Sequence, residues 1–267
     1  MSIQNREKLN NLQLLLPEGA MVSSKWLQNK GYSRQLLHKY VKNGWLKLVG
    51  NGAYTRQTTE VTWQGLVASL QHVNDDKNLH IGAETALNLH GYSHYLRLKG
   101  EKQIFVFIDS NIPAWIKNVL PNDYLKFMRK NLFSKTKNRL GLVTISSPIK
   151  NWSLTISTAE RAIMEMLLLV VTKDISFTFA AELMESLTTL RPKTVNELLL
   201  NCKHIGVKRL FMFLAEYYNQ PWVKQIKNTS FNLGTGKRMI VKGGKLDKKY
   251  LITVPKEFYD RTRESIL

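Results

Sequence analysis

Residues 34–42 carry the side chains best suited, by type and spacing, to chemistry with nucleic acid. On a helix with about 100° between successive residues, four apolar residues fall on one side: Leu36, Leu37, Tyr40 and Val41. Polar residues fall on the other side, with Arg34 at its edge: Gln35, His38, Lys39 and Lys42. Glutamine can read adenine through two hydrogen bonds, arginine can read guanine in the same way, and lysine binds phosphate. The pattern predicts a recognition helix, and the alternative is a surface helix with solubilising side chains.

The Gly-rich segment 234–238, Gly-Thr-Gly-Lys-Arg, has some features of a phosphate-binding loop but not its defining spacing. A Walker A loop needs a glycine separated by four residues from its Gly-Lys pair, and a Ser or Thr after the lysine. Phe231 and Arg238 occupy those two positions. The segment is therefore interpreted as a loop in a basic terminal hairpin.

Other titratable residues have the wrong neighbours for metal binding or catalysis: His90 with His94, Asp75 with Asp76, Glu101 with Lys102 and Asp109, and Cys202. Gly91 interrupts the histidine pair, and no glutamate follows the first histidine as a zinc motif requires. The aspartate pair lacks a third carboxylate, and the Glu-x-Lys spacing of a nuclease centre is missing. The lone cysteine lies in an apolar stretch and is expected to be packed. We therefore predict no catalytic residue, metal or cofactor.

The elements around the predicted recognition helix have the order of a helix-turn-helix. Residues 4–16 carry leucines at helical spacing. Ser23 or Ser24 can cap a short second helix, and Ser33 can cap the third helix, which ends at Gly44. Two short helices joined by a glycine-containing turn predict this motif.

A predicted hairpin follows the third helix directly. Residues 45–49 and 53–56 have the pattern of two strands, and 50–52 are a tight Gly-Asn-Gly turn. A hairpin in this place is the wing of a winged helix. Together with Lys25 and Ser33, three wing residues complete the predicted DNA-binding set: Lys47, Asn51 and Arg56.

Residues 58–267 predict a larger mixed α/β domain with a helical second half, so that the fold class is α+β. The boundary is placed at residue 57 because the wing ends there, and no Pro/Gly/Ser linker marks it. Helices are expected over 60–73, 82–89 and 158–171, with two or three more between 177 and 226. Strands are expected over 103–108, 124–128, 142–146 and 153–157, with a terminal hairpin of 238–241 and 250–254.

The formal net charge of +19 is unevenly distributed along the chain. Residues 1–57 carry a net +7, residues 58–189 a net +2 and residues 190–267 a net +10. Residues 126–150 contain seven basic side chains and no acidic one. This distribution favours contact with nucleic acid beyond the winged helix, although a solvated surface is the alternative. We assign a second basic face to Lys126, Arg129, Lys130, Lys135, Lys137, Arg139, Lys237, Arg238, Lys242 and Lys245.

The composition excludes several classes of protein. With 43% hydrophobic residues, the chain is not a disordered polycation. A single cysteine excludes a disulfide framework and indicates a reducing compartment. The N-terminus lacks the apolar core of a signal peptide, and the longest apolar stretch, 162–171, is too short for a membrane span. We expect a soluble cytoplasmic protein.

Three segments of the chain resemble AbiEi-type antitoxins, which are transcriptional regulators of type IV toxin–antitoxin (abortive infection) systems. The winged-helix segment resembles them through VSSKWL at 22–27, SRQLLHKYVKNGWL at 33–46 and GAY at 52–54. The second segment is IGAETALNLHG at 81–91. The third is ISTAERAIMEM at 156–166, near the place where the family often has a Ser-x-x-Glu-Arg-Ala pattern.

The resemblance implies a repressor of its own operon that binds inverted repeats in the promoter. It also implies a nucleotidyltransferase toxin, encoded alongside, that the protein counters without forming a stable complex. The expected partners are this toxin and double-stranded DNA, and a monomer that binds DNA cooperatively is compatible with them. Two alternatives stay open: a nuclease-like enzyme targeted by the winged helix, and an RNA-binding or ligand-sensing regulator that is not an antitoxin.

Overall fold

The computed structural model describes residues 3–50, 52–57, 60–73, 79–92, 103–116, 119, 124–129, 131–226 and 231–259. The chain forms two compact units, and each unit is built from three separate stretches of the sequence. The first unit comprises Met1–Ile81, Glu101–Arg129 and Thr144–Ile156, and the second comprises Gly82–Gly100, Lys130–Val143 and Ser157–Leu267. The unit that contains the winged helix therefore extends past residue 57, and the boundary at that residue stays a prediction.

Serine caps and glycine turns shape the N-terminal helices, which are α1 (Ile3–Leu15), α2 (Ser24–Asn29) and α3 (Arg34–Lys42). Ser23 caps α2 by accepting a hydrogen bond from Trp26 N at 3.1 Å, which decides between the two candidate serines. Ser33 caps α3 in the same way through Leu36 N at 3.3 Å. Gly44 follows α3 with φ of +72°, a left-handed conformation that suits glycine at a helix C-terminus.

Three short strands complete the winged helix: β1 (Met21–Ser23), β2 (Leu46–Val49) and β3 (Ala53–Arg56). The wing strands β2 and β3 are antiparallel, and β1 pairs with β3 on its other side, so the order is β1-β3-β2. The hairpin and the winged helix-turn-helix are confirmed. β1 was not expected, because three residues are too few to show a period.

The helix α4 (Trp63–Val73) packs on β1 within the first unit. Ser69 Oγ accepts a hydrogen bond from Met21 N at 2.8 Å and donates one to Gly65 O at 2.6 Å. Both hydrogen bonds of this Ser69 relay are buried. The winged helix is thus joined to the helix that follows it by a specific polar contact.

A five-stranded sheet has the order β6-β5-β4-β8-β7, with strands β4 (His80–Ile81), β5 (Ile104–Phe107), β6 (Leu125–Met128), β7 (Leu142–Ser146) and β8 (Ser153–Ser157). β4 pairs antiparallel with β5 and parallel with β8, and β5 pairs parallel with β6. All four residues of β5 are buried, as its continuous apolar run predicted. β4 has only two residues and no detectable period.

The second unit is mostly helical, with α5 (Ala83–Leu89), α6 (Ala159–Val171), α7 (Phe177–Ser186), α8 (Pro192–Asn201) and α9 (Ile205–Tyr217). Helix α6 is buried from Glu160 to Val170 and packs against the other four helices. This confirms the helical second half of the larger C-terminal domain.

The terminal hairpin differs from the prediction. Its strands are β9 (Lys245–Asp247) and β10 (Ile252–Val254), which are antiparallel. Residues 238–241 do not form the first strand, because only Arg238 bridges to Ile252, in a parallel direction. A segment that runs parallel to β10 cannot be its hairpin partner, so residues 238–241 are a loop beside this strand.

Within the described ranges, no helix combines the length and apolar character needed to cross a membrane.

Candidate nucleic-acid interface

Helix α3 separates its apolar and polar side chains as the sequence pattern predicted. Leu37 and Tyr40 are buried, whereas five polar residues are exposed: Arg34, Gln35, His38, Lys39 and Lys42. In the described part of the chain, no hydrogen bond or ion pair occupies these five side chains. These five side chains form a row of hydrogen-bond donors along one side of α3, and four of them can carry a positive charge. The opposite side of the helix packs into the core.

The wing adds fewer free cations than expected. Lys47 is exposed on β2. Arg56 is half-buried, and its Nη2 lies 3.4 Å from Oε1 of the exposed Glu18, so this carboxylate partly offsets the positive charge of the guanidinium. Asn51 lies outside the described residues. Gly52 has φ of +82°, the left-handed region that a tight turn of this kind requires.

Lys25 and Ser33 of the helix-turn-helix differ in how available their side chains are to DNA. Lys25 is exposed on α2. The Ser33 oxygen accepts from the α3 backbone, so only its hydroxyl hydrogen is available to a phosphate. DNA contact by these residues stays a prediction.

The residues of the predicted second basic face are divided between the two units. Lys126 and Arg129 belong to the first unit and are exposed, and Arg129 Nη2 donates to Asn111 Oδ1 at 3.2 Å. The other eight positions belong to the second unit, where six are exposed: Lys137, Arg139, Lys237, Arg238, Lys242 and Lys245. Lys130 and the side chain of Lys135 lie outside the description. A single continuous face therefore stays a prediction.

The Gly-rich loop is held by a buried arginine. The Arg209 guanidinium donates to the carbonyl oxygens of Leu233 at 2.7 Å, Gly234 at 3.0 Å and Gly236 at 2.6 Å. Because two carbonyls of the segment and the carbonyl of the residue before it bind a protein cation, the segment has a structural role. This supports the interpretation of the segment as a structural loop and not as a phosphate-binding loop.

The other candidates for chemistry are engaged or buried where the structure describes them. His90 Nε2 donates to the carbonyl oxygen of Ser157 at 2.8 Å. Cys202 is 4% exposed, and burial raises the pKa of its thiol to about 11, which confirms that it is packed. Asp109 is exposed, whereas five residues lie outside the description: His94, Asp75, Asp76, Glu101 and Lys102. Among the described residues, no three His, Cys, Asp or Glu side chains could hold a metal ion.

A buried ionic network around α6 was not predicted. Arg161 and Glu165 form an ion pair of 2.7 Å with side chains 2% and 1% exposed. Glu160, in the first turn of α6, accepts from Arg191 Nε at 2.9 Å and Nη2 at 3.0 Å. From the sequence alone, Glu160 is expected only to lie at the start of a helix, near the positive end of its dipole. One feature of the sequence could have revealed this network: the otherwise apolar helix contains three charged residues. Because a buried charge requires a partner, each of them calls for a counter-charge or hydrogen bonds.

The Glu160 carboxylate should make stability depend on pH. Burial alone would raise the pKa of this carboxyl, but hydrogen bonds from the Arg191 side chain and backbone N–H outweigh it and lower the pKa to about 2. The ordinary value is 4.5. Its contribution to stability is therefore complete above pH 4.5 and is lost as the pH falls towards 2.

We predict that Glu160→Gln lowers the free energy of unfolding at pH 7 by roughly 1–3 kcal/mol, allowing for the exposed Arg191 side chain. The difference from the natural chain should shrink between pH 4.5 and pH 2. Urea unfolding at pH 7, 4 and 3 measures this, and Glu197→Gln, at an exposed position of α8, is the matched control. A difference that stayed constant over this range would contradict the assignment.

The sequence matches two profiles of one family. The profile described as "Transcriptional regulator, AbiEi antitoxin N-terminal domain" matches residues 5–98, and that described as "Transcriptional regulator, AbiEi antitoxin, Type IV TA system" matches residues 100–255. Among solved structures, the chain is similar to the crystal structure of the RV2827C protein from Mycobacterium tuberculosis, with a TM-score of 0.50 and 11% identity over 93% of this chain and 90% of that chain. This likeness concerns the fold alone. No curated protein matches the sequence at a significant level.

Proposed function

The chain belongs to the family of AbiEi antitoxins, transcriptional regulators of type IV toxin–antitoxin systems, and we propose that it represses its own operon by binding inverted repeats in the promoter. The observation that carries this proposal is the exposed polar side of α3, whose side chains bind no other described residue. Leu37 and Tyr40, on the opposite side of the helix, are buried. We also propose that it counters a nucleotidyltransferase toxin encoded alongside, without forming a stable complex. Family membership supports this second part.

In the proposed complex, α3 enters the major groove. Arg34, Gln35, His38 and Lys42 read base edges, because arginine and glutamine make paired hydrogen bonds to guanine and adenine. A second set mainly holds phosphates and fixes the register without reading sequence: Lys25, Lys39, Lys47 and Arg56. Ser33 and Asn51 are proposed as additional polar contacts.

The test of this proposal is the double variant Gln35→Ala/His38→Ala. We expect its affinity for the promoter to fall at least about tenfold, since each lost base contact removes about 1–3 kcal/mol of discrimination. Binding to a scrambled duplex should fall much less. Fluorescence anisotropy with both duplexes at one salt concentration measures the ratio.

The matched control is Asn10→Ala/Gln13→Ala, which removes two exposed polar side chains of α1. If the α3 variant bound both duplexes like the natural chain, the recognition-helix assignment would be wrong. Metal-dependent turnover of DNA or RNA by the purified protein would instead support the enzyme alternative.

The second basic face is proposed to hold flanking nucleic acid. We predict that replacing Lys237, Arg238, Lys242 and Lys245 by Gln lowers the slope of log K against log salt by about 0.9 for each side chain that contacts a phosphate. Rescue of cells that express the toxin should weaken in parallel. Binding isotherms between 50 and 200 mM salt, roughly the range where such slopes are steep, give the slope.

Four exposed lysines outside the second basic face supply a control of equal charge: Lys173, Lys193, Lys203 and Lys224. Their replacement by Gln should leave the slope unchanged. If both quadruple variants kept the natural slope and full rescue, the charge of the second basic face would serve solubility.

A further inference from the structure

A cleft of about 670 Å³ lies beside the start of α3, within the first unit. The winged helix contributes Lys25 of α2, Arg34 of α3 and Gly52 of the wing turn to its lining. Three lining residues come from outside the winged helix: Val73 at the end of α4, and Ala114 and Trp115 in the helical turn Ala114–Ile116.

We propose that this cleft holds the DNA backbone and that Trp115, outside the winged helix, is a DNA-contact residue. The inference rests on the proposed function and extends its interface to a segment that sequence analysis left unassigned. It names one occupant, the sugar-phosphate strand next to the groove that α3 enters.

The charge of the cleft suits this occupant. Lys25 and Arg34 are both exposed and line it, and the lining contains no Asp or Glu among the described residues. An opening that is lined by cations attracts a polyanion. Ser24 adds a hydroxyl group: its oxygen accepts from Gln28 Nε2 at 2.8 Å, so its hydrogen can be donated to a phosphate oxygen.

The geometry of a helix-turn-helix places this cleft against the backbone. The first residues of the recognition helix meet base edges, while the preceding helix crosses the sugar-phosphate strand. A cleft that is lined both by the start of α2 and by the start of α3 therefore lies where that strand passes. Any residue that shares this cleft comes into reach of the strand.

Trp115 is held in a position to make such a contact. Its side chain is half-buried, and the next residue, Ile116, is 7% exposed and donates its N–H to Pro113 O at 3.3 Å. Ile116 thus anchors the turn in the core, and Trp115 stays partly exposed beside the cleft. An indole combines a large apolar surface, which can pack on deoxyribose, with an N–H that can donate to phosphate.

The first test replaces Trp115 by Ala and by Phe. Trp115→Ala should weaken binding to promoter and scrambled duplexes by the same factor, about five- to tenfold, because aromatic interface residues rank among the largest contributors. The salt slope should stay unchanged, since no charge is removed. Trp115→Phe should retain most of the affinity but reduce the DNA-induced change in tryptophan emission, to which Trp26 in the same lining can also contribute. Replacing Trp63, which lies outside the lining, by Phe should leave that change intact.

The second test adds charge at Ala114, an exposed neighbour that can be changed without disturbing the core. Ala114→Arg should raise affinity for both duplexes and steepen the salt slope by about 0.9, and Ala114→Glu should weaken binding about tenfold. Opposite effects from one position cannot come from misfolding.

If Trp115→Ala and both Ala114 variants bound DNA like the natural chain while Gln35→Ala/His38→Ala lost promoter preference, the cleft would not be part of the interface and the proposed function would stand. If the α3 double variant also bound like the natural chain, the proposed function itself would fail. A loss for Trp115→Ala with no response to either Ala114 charge would also overturn the assignment to the backbone.

Discussion

Replacing Arg161 by methionine is expected to lower the free energy of unfolding by about 3–5 kcal/mol, because it leaves the buried Glu165 carboxylate without its cation. The arginine also donates to Asn138 O at 2.6 Å and to Leu140 O at 2.7 Å. Its guanidinium lies 5.1 Å from the centre of the Phe133 ring. Methionine fills a similar volume but supplies none of these donors, so two carbonyls also lose a partner.

The Glu165 side of the pair explains why the loss extends beyond one helix. Its Oε2 accepts from Ala83 N at 3.0 Å and from Ser157 Oγ at 2.8 Å. The pair thus joins α6 to the start of α5 and to the end of β8, which are distant in sequence. An uncompensated charge at this junction destabilises several elements of the second unit at once.

The comparison variant for this prediction is Arg161→Met/Glu165→Gln. Removing both charges while keeping an acceptor should restore part of the lost stability, so that the two single changes are not additive. Lys249→Met, which breaks the exposed 2.6 Å pair with Glu216, should cost at most about 1 kcal/mol. Urea unfolding measures all of them, and an Arg161→Met loss no larger than that of Lys249→Met would refute the role assigned to the pair.

The winged helix could be predicted because each of its elements is specified locally. Ser33 and Gly44 bound α3, the helical period separates its two sides, and the Gly-Asn-Gly turn joins the wing strands. No contact distant in sequence is needed to recognise these features. The exposure of Gln35 and His38 follows directly from the burial of Leu37 and Tyr40.

The features that escaped prediction depend on contacts between distant segments. β1 and β4 are too short for a period, and they exist because β3, β5 and β8 pair with them. The first strand of the terminal hairpin was predicted at 238–241 because this segment resembles a strand locally. In the structure, residues 245–247 pair with the second strand instead. The partners of the Arg161–Glu165 pair come from three segments outside α6, at residues 83, 133–140 and 157. The sequence therefore showed charges in an apolar helix but not the groups that surround them. Trp115 escaped because its turn meets the winged helix only in three dimensions.

Replacing Gly65 by alanine is expected to destabilise the protein by about 3 kcal/mol, at the upper end of the usual range for overpacking. A methyl group at this position of α4 would overlap the carbonyl oxygen of Gly19 and come within 3.3 Å of Thr62 Oγ1. The clash is with backbone, which cannot rotate away as a side chain can. To relieve it, α4 must move from the turn that leads into β1, and the Ser69 relay to Met21 must lengthen.

Gly206→Ala on α9 is the matched control for this change. An added methyl group there meets Ile240 Cδ1 at 3.5 Å and Val171 Cγ1 at 3.6 Å, which are ordinary contacts. Because alanine favours a helix over glycine by up to about 1 kcal/mol, this variant should be as stable as the natural chain or more stable. The two Gly→Ala changes should therefore have opposite signs in urea unfolding, and a Gly65 variant as stable as the Gly206 variant would show that α4 does not pack on the winged helix through its backbone. Because α4 holds β1, and β1 pairs with the wing strand β3, we expect the Gly65 variant also to lose DNA affinity at temperatures where the control still binds.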